Sequence, residues 1–199
     1  VYLGHFANHF STIGICGMNE ACLNLLGKGI GTPEGKAFAT DILNFMRSVL
    51  KEFQDETESL YNLEATPAES TAYRLARLDK EKYPNIMTSG TAKHPYLTNS
   101  TQLNVDATRD VFEALKHQGD IQPLYTGGTI FHTFLPESID WKTCRKLVQK
   151  VAQTRLPYFS ITPTFSVCED HGFIKGENSA CPQCGKETEV YYRIVGYLR

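Results

Sequence analysis

A chain of 199 residues, 41% hydrophobic and 21% charged, has the size and balance of one globular unit with a sizeable core, which excludes intrinsic disorder. Its formal net charge is −2, and Lys and Arg are scattered rather than striped, so generic nucleic-acid binding has no electrostatic basis. No apolar run approaches the ~20 residues of a membrane span and no signal-peptide pattern opens the chain, so a soluble protein is expected.

Six glycines in residues 1–31 (Gly4, Gly14, Gly17, Gly27, Gly29 and Gly31) suit a strand, a tight loop and a short helix around residues 20–26. The spacing of the last three imitates a dinucleotide loop, but it lacks the preceding strand and acidic partner and is rejected as one. Over residues 33–58, Phe38, Ile42, Phe45, Met46, Val49 and Phe53 recur at helical spacing, with Thr32 as cap and Pro33 in the first turn. An extended stretch at 61–64 precedes a second helix announced by Pro67 and Glu69. Residues 81–105 read as loops with a brief strand near Tyr96. Asp106 is the expected cap of a helix to His117, stopped by Gly119, with Val111, Phe112 and Leu115 facing inward. Residues 124–135 read as a strand interrupted by Gly127-Gly128, 141–155 as a helix ended by Pro157, and 158–167 and 190–198 as the last strands. Helices alternating with strands predict an α/β fold with parallel strands. The apolar start Val1-Tyr2-Leu3, without an initiator Met, and the strand-like run ending at Arg199 read as cut edges of a larger protein.

Six cysteines without a secretory signal point to a reducing compartment, the cytoplasm, rather than to a disulfide framework. Four ligand-type residues are paired as Cys168-x-x-His171 and, after nine intervening residues, Cys181-x-x-Cys184. Two chelating pairs on turns, with Pro182 and Gly185 favouring a tight knuckle, suit tetrahedral Zn2+, and a full set of protein ligands makes the metal structural. Cys22 and Cys144 sit at helical positions among apolar neighbours and read as structural thiols, with a reductant role as the alternative. Cys16, between Gly14 and Gly17, is either a thiol thrust into a cavity by a tight loop or a small buried hydrophobe. Near the end, Arg193-Ile194-Val195-Gly196-Tyr197 admits two readings. One is a glycine in an edge strand; the other is a radical site, since a glycine α-carbon can flatten and share an unpaired electron with its flanking amide and carbonyl.

The strings Thr12-Ile13-Gly14-Ile15-Cys16-Gly17-Met18-Asn19-Glu20-Ala21, Ala65-Thr66-Pro67-Ala68-Glu69-Ser70, Tyr96-Leu97-Thr98-Asn99-Ser100 and Tyr125-Thr126-Gly127-Gly128-Thr129 are followed by the Cys/His knuckle and the Gly196 motif. In that order they resemble the anaerobic (class III) ribonucleoside-triphosphate reductases over essentially the whole chain. The resemblance implies the C-terminal catalytic portion of a longer protein, part of a ten-stranded α/β barrel of the glycyl-radical enzyme type. Residues 1–165 would carry the barrel part with a cysteine finger loop, and 166–199 the zinc knuckle and glycyl-radical segment. The implied reaction turns ribonucleoside triphosphates into 2′-deoxyribonucleoside triphosphates under anaerobic conditions. Gly196 would store a radical installed by a separate iron–sulfur, S-adenosylmethionine-dependent activating enzyme. It would pass to Cys16, whose thiyl abstracts the ribose 3′ hydrogen before the 2′ hydroxyl leaves as water, so Cys16 and Gly196 are expected to face each other inside the barrel. Ile15 would point inward instead after a one-residue shift.

Glu64 is then the general acid or base at the ribose hydroxyls, since a carboxylate in an apolar cavity holds its proton more tightly; the alternative is a solvated loop residue. An acid there points to a thioredoxin-like dithiol as reductant rather than formate. Thr66, Ala68, Glu69, Ser70 and Thr71 would hold the triphosphate through helix-start amides and hydroxyls, as in aerobic ribonucleotide reductases, or make an ordinary cap. Gly127 and Gly128 let the backbone approach the nucleotide or mark a bulge. A homodimer formed through the full-length protein is also implied, with no membrane and no direct nucleic-acid contact. Two other classes compete. A zinc-knuckle interaction module has the ligand pattern without a basic surface, and another glycyl-radical enzyme, such as a formate-lyase relative, typically lacks the knuckle.

Overall fold

The computed structural model describes residues 4–5, 8–104, 107–108 and 110–191, the side chain of Glu69 excepted. Strand β1 (Phe10–Gly14) leads into helix α1 (Met18–Leu26) and the long helix α2 (Pro33–Thr57), and β2 (Leu60–Glu64) returns parallel to β1, in register from Phe10↔Leu60 to Gly14↔Glu64. As predicted, the Thr32 hydroxyl caps α2, accepting the Gly35 amide at 3.1 Å, and Pro33 occupies a first-turn position whose amide has no helical partner. The inward stripe of α2 is centred on Ala39, Leu43 and Leu50, which pack with Ile15, Cys22, Leu63, Ala65 and Ile121 in the main core; of the expected stripe Phe38, Ile42 and Met46 pack beside it, whereas Phe45 and Phe53 are exposed.

Helix α3 (Glu69–Lys82) is followed by a small antiparallel pair, β3 (Ser89–Gly90) and β4 (Pro95–Tyr96). Helix α4 (Val111–Ile121) runs into a 3-10 turn at Gln122–Leu124. A second parallel pair follows, β5 (Phe131–Leu135) and β6 (Phe159–Pro163), connected through α5 (Trp141–Val151). Leu115, Phe131 and Val151 make a second core there. The chain closes its described part with a three-stranded antiparallel sheet in the order β8 (Gly172–Lys175), β7 (Phe165–Cys168), β9 (Glu189–Tyr191). The α/β class with parallel pairs is the expected one. Among the described residues no helix is long and apolar enough to cross a membrane.

Several boundaries differ from the expectation for local reasons. Asp106 lies outside the described residues, and α4 is capped by Asp110, whose carboxylate accepts the Phe112 amide at 2.7 Å. Gly119 does not stop that helix, which continues to Ile121 and tightens where Pro123 has no amide to offer. Helix α5 ends at Val151 rather than 155, because the Gln153 and Thr154 amides turn to carbonyls three residues back and the Thr154 hydroxyl takes the Val151 carbonyl at 2.7 Å. The expected strand at 124–135 forms only over Phe131–Leu135. The one at 158–167 divides at Thr164, whose amide bonds the Leu135 carbonyl at 2.8 Å before the chain crosses into another sheet. Strand β8 was not anticipated, and residues 192–198 of the last expected strand lie outside the described residues.

Candidate active site and metal centre

Strands β1 and β2 end side by side at Gly14 and Glu64, and the Ile15 amide adds one more bond to the Glu64 carbonyl at 3.2 Å. Strand alternation then sorts the side chains: Ile15, Leu63 and Ala65 enter the main core, while Cys16, Glu64 and Thr66 take the opposite face. A β-carbon on Gly14 would run into the Thr66 hydroxyl, which puts Thr66 directly over that glycine.

Residues 126–128 dock on the other flank of β2. The Leu63 amide bonds the Thr126 hydroxyl at 2.9 Å, the Gly127 amide bonds the Leu63 carbonyl at 2.7 Å, and the Ala65 amide bonds the Gly128 carbonyl at 2.8 Å. A β-carbon would stand 3.1 Å from Asn62 Cγ at Gly127, and 3.3 Å from Glu64 Oε1 at Gly128. Both glycines therefore serve a close backbone approach to β2, and the Glu64 carboxylate lies over Gly128. Glu64 itself is a half-buried strand-end residue rather than a solvated loop residue.

The finger loop expected around Cys16 is not formed. Thr12 to Gly14 finish β1, Met18 starts α1, and Ile15, Cys16 and Gly17 alone connect them. Cys16 makes an antiparallel bridge with Asn99, the Gly17 amide bonds the Thr98 carbonyl at 2.8 Å, and the Met18 amide bonds the Ser100 carbonyl at 3.1 Å. Gly17 holds φ at 79°, a left-handed value that glycine adopts without strain. A three-residue connection pinned along its length has no tip to project. Ile15 is buried in the core and Cys16 is half-buried on the other face. Burial and then the nearby Glu20 carboxylate push the Cys16 thiol up to about 11, so it stays an S–H at neutral pH.

Glu20 is the residue that sequence reasoning missed. It is 3% exposed and accepts hydrogen bonds from Asn19 Nδ2 at 3.0 Å, the Thr98 hydroxyl at 2.8 Å, the Thr98 amide at 2.8 Å and the Ser89 hydroxyl. These bonds fasten residues 89–98 to α1 and so set Asn99 against Cys16. Of its partners, Ser89 and Thr98 lie 69 and 78 residues away, beyond the reach of any local pattern.

Helix α3 opens just past Thr66, with Ala68 at its cap position and no side-chain cap among the described side chains. Ser70 and Thr71 on its first turn are exposed. The side chain of Glu69 and all of Gly196 lie outside the described residues, and with them the expected meeting of Cys16 and Gly196. Cys22 is buried in the main core with its sulfur 3.6 Å from the Gly35 carbonyl, as expected of a structural thiol, and Cys144 is half-buried on α5.

The four predicted metal ligands converge. Cys168 ends β7, His171 sits in the turn to β8, and Cys181 and Cys184 flank a second turn, with all four ligand atoms within 4.8 Å of one another. A tetrahedral site with bonds of ~2.3 Å to sulfur and ~2.0 Å to nitrogen has S···S edges of ~3.8 Å and S···N edges of ~3.5 Å. The observed edges are 3.7 Å from Cys168 Sγ to Cys184 Sγ, and 3.6 Å from His171 Nδ1 to both Cys168 Sγ and Cys181 Sγ. The hydrogen bond from His171 pulls the Cys168 thiol down to about 6, toward the thiolate a metal needs. Gly185, at φ 74°, lets the second turn close with its amide on the Cys181 carbonyl at 2.8 Å, and Lys186 pairs with Asp170 at 2.6 Å to link the two turns. The cluster can hold a metal ion.

A family model described as anaerobic ribonucleoside-triphosphate reductase matches residues 3–199. The chain belongs to the anaerobic ribonucleoside-triphosphate reductase family. It is 28% identical over 197 residues to the reductase of Enterobacteria phage T4, covering 94% of this chain and 31% of that protein. To the Haemophilus influenzae reductase it is 26% identical over 198 residues, covering 94% of this chain and 28% of the relative. A crystal structure of the Thermotoga maritima anaerobic ribonucleotide reductase with MES in the active site superposes with a TM-score of 0.73 at 29% identity, over 96% of this chain and 32% of that one. The chain thus spans about a third of the length of the reductases it matches.

Proposed function

We propose that this chain forms the C-terminal catalytic portion of an anaerobic ribonucleoside-triphosphate reductase, which converts ribonucleoside triphosphates to 2′-deoxyribonucleoside triphosphates. One observation carries the reading within the family. A single strand edge ends in the half-buried carboxylate of Glu64 and leads at once into a helix start without a side-chain cap, so a proton carrier and an anion-binding helix end share one site. The Thermotoga maritima reductase in complex with dATP and CTP, matched at a TM-score of 0.71 and 28% identity, supports nucleotides as the ligand class.

In this reading the first amides of α3, with Thr66, Ala68, Glu69, Ser70 and Thr71, hold the triphosphate. Gly127 and Gly128 form the adjoining wall, and Glu64 moves a proton at a ribose hydroxyl. A radical kept on Gly196 supplies the one-electron chemistry. It is installed by a radical S-adenosylmethionine activating enzyme, and a thioredoxin-like dithiol or formate supplies the two electrons that reduce the ribose. The metal is Zn2+ and structural, because Cys168, His171, Cys181 and Cys184 leave no open position, and it braces the sheet whose last strand runs toward Gly196 in the sequence. The pairs β1–β2 and β5–β6 belong to the part of a ten-stranded α/β barrel that residues 1–165 carry, the other strands coming from the rest of the full-length protein, a cytoplasmic homodimer, with 166–199 as the knuckle and radical segment.

Cys16 does not receive the thiyl role that the resemblance offered. Its pinned connection argues for a wall position, and the hydrogen-abstracting thiol is assigned to a cysteine elsewhere in the whole protein, the chain covering 31% of the phage T4 relative.

Anaerobic activation of the full-length protein tests the proposal. A doublet electron-spin signal, one zinc per chain and deoxynucleotide formation are expected. Metal without any radical would favour the interaction module, and a radical without nucleotide reduction would favour another glycyl-radical enzyme.

A further inference from the structure

Two amide oxygens, Oδ1 of Asn62 and Oδ1 of Asn99, are buried with no hydrogen-bond partner among the described residues. Both belong to the face that carries Glu64. Asn62 precedes Glu64 by two residues in β2, so strand alternation points them the same way. Asn99 opposes Cys16 in an antiparallel bridge, where facing side chains share one side, and Cys16 stands two residues beyond Gly14, the register partner of Glu64. The neighbouring Thr98 turns its hydroxyl the other way, to Glu20 on α1, as alternation requires.

The two amides are not equivalent. Asn62 is packed under Gly127, whose β-carbon would stand 3.1 Å from its Cγ. Asn99 is 7% exposed and held from behind, its backbone fixed by the Cys16 bridge and by its carbonyl accepting the Gln102 amide at 2.9 Å. Two strand spacings, ~10 Å, bound its distance from β2, within the width of a nucleoside.

An amide oxygen only accepts, so what it lacks is a donor, and a buried acceptor without one is costly. A triphosphate brings acceptors alone. The ribose brings hydroxyl donors, and Glu64 on the same face is the group assigned to the ribose. We propose that Asn99 Oδ1 accepts a hydrogen bond from the ribose 2′ hydroxyl of the bound nucleotide and so distinguishes substrate from deoxynucleotide product. The proposal rests on the function given above and adds to it a residue that reads the sugar. Reduction removes one hydroxyl, and a site built around that donor binds the product less well because its acceptor is left unpaired.

The test uses the full-length enzyme. Asn99→Ala is expected to lower kcat/KM at least tenfold and to reduce, by a similar factor, the binding preference for a ribonucleoside triphosphate over its 2′-deoxy analogue. The glycyl-radical signal and zinc content should match the wild type. Asn99→Asp, which keeps the shape and an acceptor oxygen, is expected to retain most of that preference, and it carries the test if the Ala variant fails to fold. The proposal is overturned if Asn99→Ala, at wild-type radical content, keeps kcat/KM within twofold and the preference over the 2′-deoxy analogue unchanged, or if Asn99→Asp loses that preference entirely while folded. A wild-type enzyme that reduces no ribonucleotide would instead overturn the function on which the proposal stands.

Discussion

The Glu64 carboxylate rests on Gly128, so close that a β-carbon there would come within 3.3 Å of Oε1. Gly128→Ala must therefore displace the carboxylate by a few tenths of an ångström, and it is expected to lower turnover while leaving the unfolding midpoint nearly unchanged. Glu64→Gln keeps the shape and removes the transferable proton. Its expected cost is ~10²- to 10⁴-fold in kcat, the usual contribution of a positioned acid or base. Steady-state kinetics beside spin quantitation check both variants, and a Gln variant within about threefold of wild type would take Glu64 out of the proton path.

Metal removal is expected to act locally. Cys168, His171, Cys181 and Cys184 hold the turns of the β8-β7-β9 sheet, whereas the main core around Leu43, Leu63 and Ile121 makes no use of them. A chelator, or Cys181→Ser, should reduce zinc from one per chain to near none and expose the amides of β7 and β8 to hydrogen exchange, while α2 keeps its protection. Equal loss of protection in α2 and β7 would show instead that the sheet and the core unfold as one unit.

Features written in short stretches of sequence were the legible ones. Thr32-Pro33 and an apolar stripe announce α2 within a few residues, and two x-x spacings announce the ligand cluster, because a chelating turn is itself local. The expected finger loop fails because glycines at 14 and 17 suggest freedom, whereas hydrogen bonds from the Gly17 and Met18 amides to the Thr98 and Ser100 carbonyls remove it. The cap falls at Asp110 and not at the expected Asp106, and the Thr108 hydroxyl, which accepts the Asp110 amide at 3.1 Å and donates to Glu113 at 2.8 Å, helps to fix that start. Asn99 carries no local signal. Its placement depends on Glu20, which is joined to it through Thr98 across 78 residues.

Glu20 is accordingly expected to be a strong stability determinant. A buried carboxylate with four donors loses more on neutral replacement than a surface one, since hydrogen bonds to a charged acceptor contribute ~1.5–3 kcal/mol each and the donors left behind remain buried. Glu20→Gln sets an amide donor where the Ser89 and Thr98 hydroxyls or the Thr98 amide now donate. The expected loss is roughly 2–4 kcal/mol in urea unfolding. A loss below about 0.5 kcal/mol, the range of exposed surface positions, would mean that the 89–98 segment is held by something else.

Cys16 offers a sharp separation between a wall thiol and a radical carrier. Its thiol is pushed up to about 11 from an ordinary 9.0, chiefly by burial and further by the Glu20 charge, so folding favours the protonated form. The stabilisation this gives is complete below pH 9.0 and is lost as pH rises through about 11. Peptide-resolved alkylation should therefore find Cys16 slow at pH 8 and accelerating only toward pH 11, and fast at pH 9 once the protein is denatured. Cys16→Ser keeps a small polar group in the pinned connection, and its expected effect on turnover is less than about tenfold at unchanged glycyl-radical content, since a residue that only lines the wall is not part of the transition state. Complete loss of turnover with the radical intact would return the thiyl role to Cys16 and require the connection between β1 and α1 to open when substrate binds.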